Sequence, residues 1–458
     1  MPAWDRGTPQ QQAKVRDAAL QRQLRDRVGP FSPFWRERFT ALRVPATSIA
    51  SAADLPKLPA VGERDVCPTG DPADAARLVL QADEAGFALH AFGPDLRKAL
   101  LRRVSGADQY RRQVEAETRP TTFHFGGRAM RFPIASTRND LDVVARAGSR
   151  AWQVLGLTSG DVLVSAVPMT ASLDHFFLTY AAIGAGTPAL FPGSDPDAVG
   201  DAFRLVAATV LAVRPQEALD VLDGVDTTSV RTVLLVGAAD AALRDEVAAA
   251  VPDATVLGLW GPEEHRVMWA ECRESAGSPT GWHTYPDIDH VEVVDPETGT
   301  QANGGGELVL TQLGLAGSAL LRWRTGDVVP SALANDPCAA CGRTVPRVPT
   351  DVATSALHVE ATLRGARATL DLRAIAGALA GRPDLADWMV EVAPSPRAGG
   401  DDLLVYVAPK GDETDAAVGA YRDVRAVAGV PPSQVVVLTT DELASRRDAE
   451  SRRVVVRR

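Results

Sequence analysis

Lysine is scarce in this sequence. The 48 basic residues are almost all arginines, and the only lysines are Lys14, Lys57, Lys98 and Lys410. The formal net charge of −10 at pH 7 argues against a nucleic-acid partner, which would need a basic face.

Cysteines and long apolar runs are also few. No apolar run approaches the roughly 20 residues of a membrane-spanning helix, and the first six residues lack the charged-then-apolar pattern of a secretion signal. Four cysteines in 458 residues do not make a disulfide framework. We therefore expect a cytoplasmic protein with no membrane partner, in which Cys338 and Cys341 bind a metal rather than form a disulfide.

Strand-like and helix-like segments alternate regularly from residue 121 onward. The helical stretches separate buried-type runs at 161–167, 187–192, 209–213, 232–237 and 254–260. Short connections between these segments predict a mostly parallel sheet with helices on its faces. Because ligands bind such sheets at the carboxyl ends of the strands, a site is expected in the loops after Val236 and Leu259.

Other segments complete the predicted architecture. Residues 9–28 have helical apolar spacing, and Gly29-Pro30 is expected to stop that helix. Residues 290–311 predict antiparallel hairpins, and a smaller α+β unit ends the chain. The predicted fold class is α/β. A large N-terminal domain at residues 1–349 has mostly parallel sheets flanked by helices plus a β-hairpin subdomain, and a small α+β C-terminal lid occupies residues 350–458.

Chemically informative residues are concentrated between Glu307 and Arg347. An apolar run, Glu-Leu-Val-Leu-Thr, precedes Leu-Leu-Arg-Trp-Arg-Thr-Gly-Asp, which ends at Asp327, and a Cys-rich turn begins at Cys338. A buried carboxylate after a Thr-Gly turn is a good acceptor for sugar hydroxyls. A Cys-x-x-Cys pair followed by Gly-Arg is a plausible metal-binding turn.

Motifs along the chain occur in an order that resembles adenylate-forming enzymes, in the branch that contains phenylacetate–CoA ligase and coenzyme F390 synthetase. The motifs are Ser32-Pro-Phe-Trp-Arg-Glu-Arg-Phe, Asp54-Leu-Pro-Lys-Leu-Pro, Ser136-Thr-Arg-Asn-Asp-Leu, Asp295-Pro-Glu-Thr-Gly, Gly306-Glu-Leu-Val-Leu-Thr, Arg322-Trp-Arg-Thr-Gly-Asp and Cys338-Ala-Ala-Cys-Gly-Arg-Thr-Val-Pro-Arg. The resemblance implies activation of an aryl or acyl carboxylic acid as an adenylate and its transfer to coenzyme A or a similar acceptor. It also implies ATP, AMP and Mg²⁺ as ligands, and a homodimer, which is common among such enzymes.

The resemblance further implies roles for individual residues. Asp327 matches the aspartate that accepts the ribose hydroxyls. In Leu259-Trp-Gly-Pro-Glu-Glu-His, Trp260 matches the aromatic residue that covers adenine, and Glu264 matches the glutamate that holds Mg²⁺ on the phosphates. The matching adenine-side positions are Gly237, Ala238 and Gly261. The alternatives are a strand-end turn at Asp327 and a solvated acidic turn at Glu264.

Four features depart from the family pattern. The segment His124-Phe-Gly-Gly-Arg-Ala-Met-Arg replaces the hydroxyl-rich phosphate loop, so a plain hairpin turn is the favoured interpretation, although Arg128 could supply charge. The adenine-side acid is missing at Ala239, residues 351–357 replace the hinge motif, and arginines such as Arg452 stand where a lysine is expected to stabilise the transition state. These departures leave an alternative function: a degenerate homologue that binds or scaffolds without adenylating, or that carries out other chemistry.

The cysteines indicate a structural metal site. Cys338 and Cys341 supply two ligands, and a tetrahedral Zn²⁺ needs two more. Cys272 and His283 are the candidates because they flank the loop before the hairpins, and the resemblance implies a Cys and a His in this region. Four protein ligands leave no open coordination position, so the predicted Zn²⁺ is structural. The alternative is a set of buried thiols.

Overall fold

The computed structural model describes residues 4–68, 71–91, 106–127, 131–296, 298–354, 358–396, 400–446 and 454–456. Two compact units divide the chain. The larger unit contains Met1–Gly127 and Phe132–Thr354, and the smaller unit contains Arg128–Arg131 and Ser355–Arg458. Two predicted site residues, Arg128 and Arg452, lie outside the described residues.

Helices of the larger unit are numbered in chain order. They are α1 (Pro9–Gln23), α2 (Gly29–Phe31), α3 (Pro33–Leu42), α4 (Glu63–Val66), α5 (Glu84–Ala91), α6 (Ala107–Thr118), α7 (Arg138–Leu155), α8 (Leu173–Ala185), α9 (Pro196–Val206), α10 (Ala218–Asp223) and α11 (Ala241–Ala250). Helix α7 begins at a capping box, in which Thr137 and Asp140 each accept the other's backbone N–H, so two N-terminal donors of the helix are satisfied. None of the described helices has the length and apolar character needed to cross a membrane.

The prediction that Gly29-Pro30 stops the first helix is wrong. A π-helical turn at Leu24–Val28 joins α1 to α2, and the chain stays helical to Phe31. In this wider turn the Gly29 N–H donates to the Leu24 carbonyl, five residues back. Pro30, which has no N–H to donate, then falls in the first turn of the next helical segment, where a proline is tolerated.

Strands of the larger unit are also numbered in chain order. They are β1 (Pro120–Gly126), β2 (Phe132–Thr137), β3 (Leu163–Ser165), β4 (Ala189–Leu190), β5 (Val210–Val213), β6 (Thr232–Val236), β7 (Thr255–Trp260), β8 (Trp269–Ala270), β9 (Trp282–His283), β10 (Asp289–Val294), β11 (Gly306–Gln312), β12 (Trp323–Val329), β13 (Arg347–Val348) and β14 (Ala353–Thr354). Strands β1 and β2 pair as an antiparallel hairpin.

An eight-stranded sheet forms the centre of the larger unit, with the strand order β13-β9-β8-β7-β6-β5-β3-β4. Strands β3 to β7 pair in parallel, and β8, β9 and β13 extend the sheet in antiparallel fashion. The predicted parallel sheet is confirmed, and the antiparallel edge is an addition. A second sheet has the order β10-β11-β12-β14 and contains the predicted hairpins.

Close helix packing covers one face of the central sheet. A Cβ atom added at Gly148 in α7 would lie 2.3 Å from the Cα of Ala181 in α8, and one at Gly184 would lie 2.2 Å from the Ala145 carbonyl oxygen. The two backbones therefore touch where they cross, and only glycine fits at these two positions.

The smaller unit has its own core. Its described elements are β15 (His358–Leu363), β16 (Ala366–Asp371), α12 (Leu372–Ala380), β17 (Leu385–Pro394), β18 (Asp401–Pro409), α13 (Glu413–Ala428), β19 (Gln434–Val437), α14 (Thr440–Arg446) and β20 (Val454–Val456). The sequence predicted α12, α13 and strands β17 to β19 but not the hairpin β15–β16. The sequence feature that marks this hairpin is the dipeptide Arg364-Gly365. Both residues have positive φ angles, as a two-residue type I′ turn requires.

Candidate functional site

Two loops that the sequence places far apart meet at one edge of the central sheet. Strands β6 and β7 are parallel neighbours, so both end at this edge. The N–H of Gly237, directly after β6, donates to the Leu259 carbonyl at 2.9 Å. Gly237 has a φ of +137°, and Ala238 beside it is exposed. The residues after β6 thus lie against the end of β7.

The turn after β7 begins with a tightly packed tryptophan. Trp260 is 7% exposed and stacks on Trp282, with ring centroids 4.9 Å apart and an interplanar angle of 21°. Trp269 lies tilted against the same indole at 5.7 Å. At Gly261 an added Cβ would lie 2.7 Å from the Val267 carbonyl oxygen. The start of the turn is therefore held by aromatic packing and by close backbone contact.

The acidic pair in this turn faces the β1–β2 hairpin. Glu264 is 2% exposed, and its Oε1 accepts the backbone N–H of Gly127 at 2.9 Å. A Cβ at Gly126 would lie 2.8 Å from Glu264 Cγ, so a glycine is required there. The Glu263 side chain is exposed. Gly126 and Gly127, in the segment predicted to replace a phosphate loop, thus lie directly against Glu264, the predicted Mg²⁺ ligand.

His124 joins the hairpin to the same turn. Its Nε2–H donates to the Glu263 carbonyl at 2.8 Å, and its ring stacks on Phe176 with centroids 5.0 Å apart. Burial lowers the pKa of His124 to about 4, against the opposing effect of the bond to Glu263. The imidazole is therefore neutral at pH 7 and cannot supply positive charge to a phosphate.

Two residues behind this turn were missed by the sequence analysis. Arg266 is fully buried and bonds to Asp140 and Ala135. Gln312, at the end of β11, donates to the carbonyls of Glu264 and His265 at 2.9 and 2.7 Å. The signal at Arg266 was its position directly before the apolar run Val-Met-Trp-Ala, where a solvated side chain is not expected.

Asp327 lies in the second sheet, on β12. Its side chain is fully buried, and its N–H donates to Thr325 Oγ1 at 3.0 Å. The Thr-Gly-Asp turn is fixed by Glu307 on β11, which accepts Gly326 N–H at 3.2 Å and Arg324 Nε–H at 2.9 Å. The sequence stretch from Glu307 to Asp327 is therefore a pair of adjacent strands joined by a cross-strand ion pair.

Four predicted metal ligands come together at the antiparallel edge of the central sheet. The ligand atoms of Cys272, His283, Cys338 and Cys341 all lie within 4.8 Å of one another. Cys272 follows β8, His283 is on β9, and the two remaining cysteines form the turn before β13. Three thiols and one imidazole are a ligand set that suits tetrahedral zinc.

Hydrogen bonds orient this cluster. His283 Nδ1–H donates to the Ala270 carbonyl at 3.3 Å, which leaves Nε2 directed at Cys341 Sγ, 3.3 Å away. Burial raises the pKa of Cys272 to about 12. Burial also raises the pKa of Cys338, but hydrogen bonds from Thr280 and from backbone N–H groups outweigh this effect and lower the pKa to about 7. This tautomer and these bonds are typical of supported metal ligands.

The Cys-rich turn also anchors the N-terminal segment. Arg6 Nη2 donates to the Cys341 carbonyl at 3.1 Å, and Arg343 Nε donates to Asp5 Oδ2 at 2.9 Å. Thr344 N–H donates to the Asp5 carbonyl at 2.8 Å. The Cys-rich turn therefore connects the N-terminal segment to this edge of the sheet.

One of the C-terminal arginines is described, and it has partners within the smaller unit. Arg446 Nη2 donates to the Tyr406 hydroxyl at 2.6 Å and lies 3.5 Å from Glu391 Oε2. Its guanidinium also covers the Tyr406 ring at 4.2 Å. In this arrangement Arg446 caps the exposed side of a buried Tyr–Glu pair.

Solved structures of 2-hydroxyisobutyryl-CoA ligase have a similar fold. One, in complex with 2-HIB-AMP and CoA in the thioesterification state, matches with a TM-score of 0.63 and 18% identity over 99% of this chain and 91% of that chain. An open conformation of the same complex matches with a TM-score of 0.61 and 19% identity over 96% and 91%. No protein-family model and no curated protein sequence matches the chain. The likeness confirms the predicted fold class, a large α/β domain followed by a small α+β domain.

Proposed function

We propose that the protein is an AMP-forming acid–thiol ligase of the phenylacetate–CoA ligase type. It activates an aryl or acyl carboxylic acid as an adenylate and transfers the acyl group to coenzyme A or a similar acceptor. The observation that carries this proposal is the sheet edge where Gly237, Trp260 and Glu264 are placed by neighbouring parallel strands, on the fold of a CoA ligase.

In this proposal Asp327 accepts the ribose hydroxyls, and the Trp260 turn together with Gly237-Ala238 receives the adenine. Glu264 holds Mg²⁺ through its carboxylate. Glu263 is exposed and Glu264 is buried beside it. Two adjacent carboxylates repel a bare phosphate, whereas a Mg²⁺-bound phosphate suits them because Mg²⁺ prefers hard oxygen ligands. Binding of the metal complex requires the Glu264 carboxylate to share or leave its bond to Gly127.

A second candidate is a homologue that binds an acid or a nucleotide without adenylating. The observation that favours it is the bond from Gly127 N–H to Glu264. That amide belongs to the segment that replaces the phosphate loop, and the protein's own carboxylate already occupies it. The lack of any lysine after Lys410 and the neutral imidazole of His124 remove two further sources of charge for a phosphate.

One experiment separates the two candidates. Pyrophosphate exchange is measured with a panel of aryl and alkyl acids, beside calorimetric titration with ATP–Mg²⁺. For the ligase we expect exchange with at least one acid and nucleotide binding that is lost in D327A. The matched control is D201A, which removes an exposed aspartate on α9. Absence of nucleotide binding by the wild type would exclude the ligase, and binding without exchange for any acid would favour the second candidate.

We also infer that the Cys272, His283, Cys338 and Cys341 cluster binds one structural Zn²⁺. The ligand atoms span no more than 4.8 Å, the imidazole tautomer leaves Nε2 for the metal, and four ligands are the number that a structural zinc site needs. Elemental analysis of the purified protein should find about one zinc per chain. Protein from metal-replete expression that contains none would refute the inference.

A further inference from the structure

We propose that Arg266 is a positioning residue, which orients Glu264 and Glu263 by holding the backbone of their turn. The proposal deepens the proposed ligase function and rests on it. Arg266 contacts no expected substrate group. It acts from behind the turn, through Gln312 and Asp140.

The guanidinium of Arg266 ties together three distant chain segments. Nη1 donates to the Ala135 carbonyl at 2.9 Å and lies 3.2 Å from Asp140 Oδ2. Nη2 donates to Gln312 Oε1 and to the Ser318 carbonyl. Arg266 is fully buried and has a φ of +71°, a conformation that costs a non-glycine residue free energy. The surrounding contacts therefore fix both its backbone and its side chain.

Gln312 connects the Arg266 guanidinium to the backbone of the Glu264 turn by hydrogen bonds. While its Oε1 accepts from Arg266, its Nε2 donates to the carbonyls of Glu264 and His265 at 2.9 and 2.7 Å. An amide that accepts on one side and donates on the other has a fixed orientation. The backbone at Glu264 is therefore held from behind, while its carboxylate bonds to Gly127 in front.

Asp140 connects the same guanidinium to the start of α7 and to the loop after β11. Its carboxylate accepts the N–H groups of Thr137, Ala316 and Gly317 at 2.9, 2.6 and 2.7 Å. A Cβ at Gly317 would lie 2.0 Å from the Ala135 carbonyl oxygen. The segments that Arg266 bridges are therefore tightly packed. Because they cannot adjust, a displaced guanidinium would shift the Glu264 turn.

Stability alone is a weak explanation for this arrangement. A buried ion pair is often no more stable than apolar side chains of similar volume, because desolvation offsets the attraction. A planar guanidinium instead provides several donors in fixed directions, which lysine cannot reproduce. The geometry of the turn is therefore the property that Arg266 specifically supplies.

The test compares R266K with R150K. Arg150 is a largely buried arginine on α7 that binds Asp287 through two bonds of 2.5 and 2.9 Å, and neither residue belongs to the proposed site. In both variants the lysine keeps the positive charge but lacks the planar guanidinium. Urea unfolding, kcat and KM in pyrophosphate exchange, and the His124 Nε2–H signal in ¹⁵N-histidine NMR spectra are measured for each. Q312M, which removes the donors to the turn while leaving Arg266, is the second variant.

We expect R266K and Q312M to lower kcat by roughly 10- to 100-fold, as loss of a residue that orients a metal ligand commonly does, with a smaller change in KM. R150K should leave both constants within about twofold of wild type even if it is equally destabilised, because the folded active site is unchanged. The His124 Nε2–H signal, which reports the Glu263 carbonyl, should shift or vanish in R266K and Q312M and persist in R150K.

Wild-type kcat, KM and His124 signal in folded R266K and Q312M would overturn the positioning role and leave only a structural one. If the wild type shows no exchange, the ligase proposal fails, and the NMR signal alone decides the role of Arg266. A shift confined to R266K and Q312M then supports it as the residue that sets the turn. An unchanged signal refutes it.

Discussion

The buried imidazole of His124 makes the stability of the larger unit depend on pH. Burial lowers its pKa from 6.5 to about 4, with Arg266 also lowering it and Asp174 opposing. The unfolded chain therefore binds a proton at this site below about pH 6.5 that the folded chain accepts only near pH 4. The contribution of the neutral imidazole is fully present above pH 6.5 and is lost as the pH falls toward 4.

The size of the effect follows from the two pKa values. At about 1.4 kcal/mol per pH unit, full titration corresponds to about 3.4 kcal/mol. Between pH 7 and pH 5, where the unfolded imidazole becomes almost fully protonated and the folded one does not, the expected loss is about 2 kcal/mol.

The variant H124Q isolates this contribution. Glutamine can still donate a side-chain N–H toward the Glu263 carbonyl, but it does not titrate. Urea unfolding at pH 7 and pH 5 is followed by tryptophan fluorescence, which reports mainly the larger unit because only Trp388 lies in the smaller one. Between pH 7 and pH 5 the free energy of unfolding should fall in the wild type. In H124Q this fall should be smaller by about 2 kcal/mol. Equal pH dependence in the two proteins would refute the reasoning.

Three further outcomes are expected. Burial also lowers the pKa of His290 to about 4, so H290Q should flatten the same pH dependence, and unfolding of the double variant with H124Q should show additive effects. G148A should lower the free energy of unfolding by about 1–3 kcal/mol through overpacking, whereas G304A, whose Cβ meets nothing within 4 Å, should be neutral in the same urea titration. Elemental analysis of C338S should find no zinc. Trypsin should cleave this variant faster after Arg6, because the Cys-rich turn that holds the N-terminal segment loosens. An unchanged cleavage rate would show that the turn holds this segment without the metal.

The central sheet could be predicted because its strands are buried on both faces. Continuous Val and Leu runs such as Thr232–Val236 identify such strands locally, and the helices between them imply parallel pairing. The antiparallel edge, β8, β9 and β13, could not be predicted in this way. Each of these strands has two residues, which is too short for a periodic pattern. Gly29-Pro30 misled for a related reason, since the π turn that accommodates it leaves no mark in composition.

Residue type helped to predict the metal cluster but not the Arg266 brace, by which we mean the hydrogen bonds of Arg266 and Gln312 behind the Glu264 turn. Cysteine and histidine are good metal ligands and are few in this chain, so Cys272, His283 and the Cys-x-x-Cys pair could be grouped across distant positions with the help of the resemblance. Arginine is usually solvated, and the partners of Arg266 are far from it in sequence. Its position before an apolar run indicates burial, but the identity of its partners is a tertiary property that no local pattern contains.

The same brace bears on the choice between an active ligase and a non-adenylating homologue. Two of the departures from the family pattern, Ala239 and the hairpin at Gly126-Gly127, fall at positions that the resemblance predicts to contact ligand. Hydrogen bonds run from Arg266 through Gln312 to the backbone of the Glu264 turn. Since an apolar replacement of a buried ion pair often costs no stability, this arrangement is better explained by a Glu264 that must be held in place than by stability. Because the positioning role rests on the proposed ligase function, nucleotide binding and pyrophosphate exchange decide between the two candidates, and Arg266 alone does not.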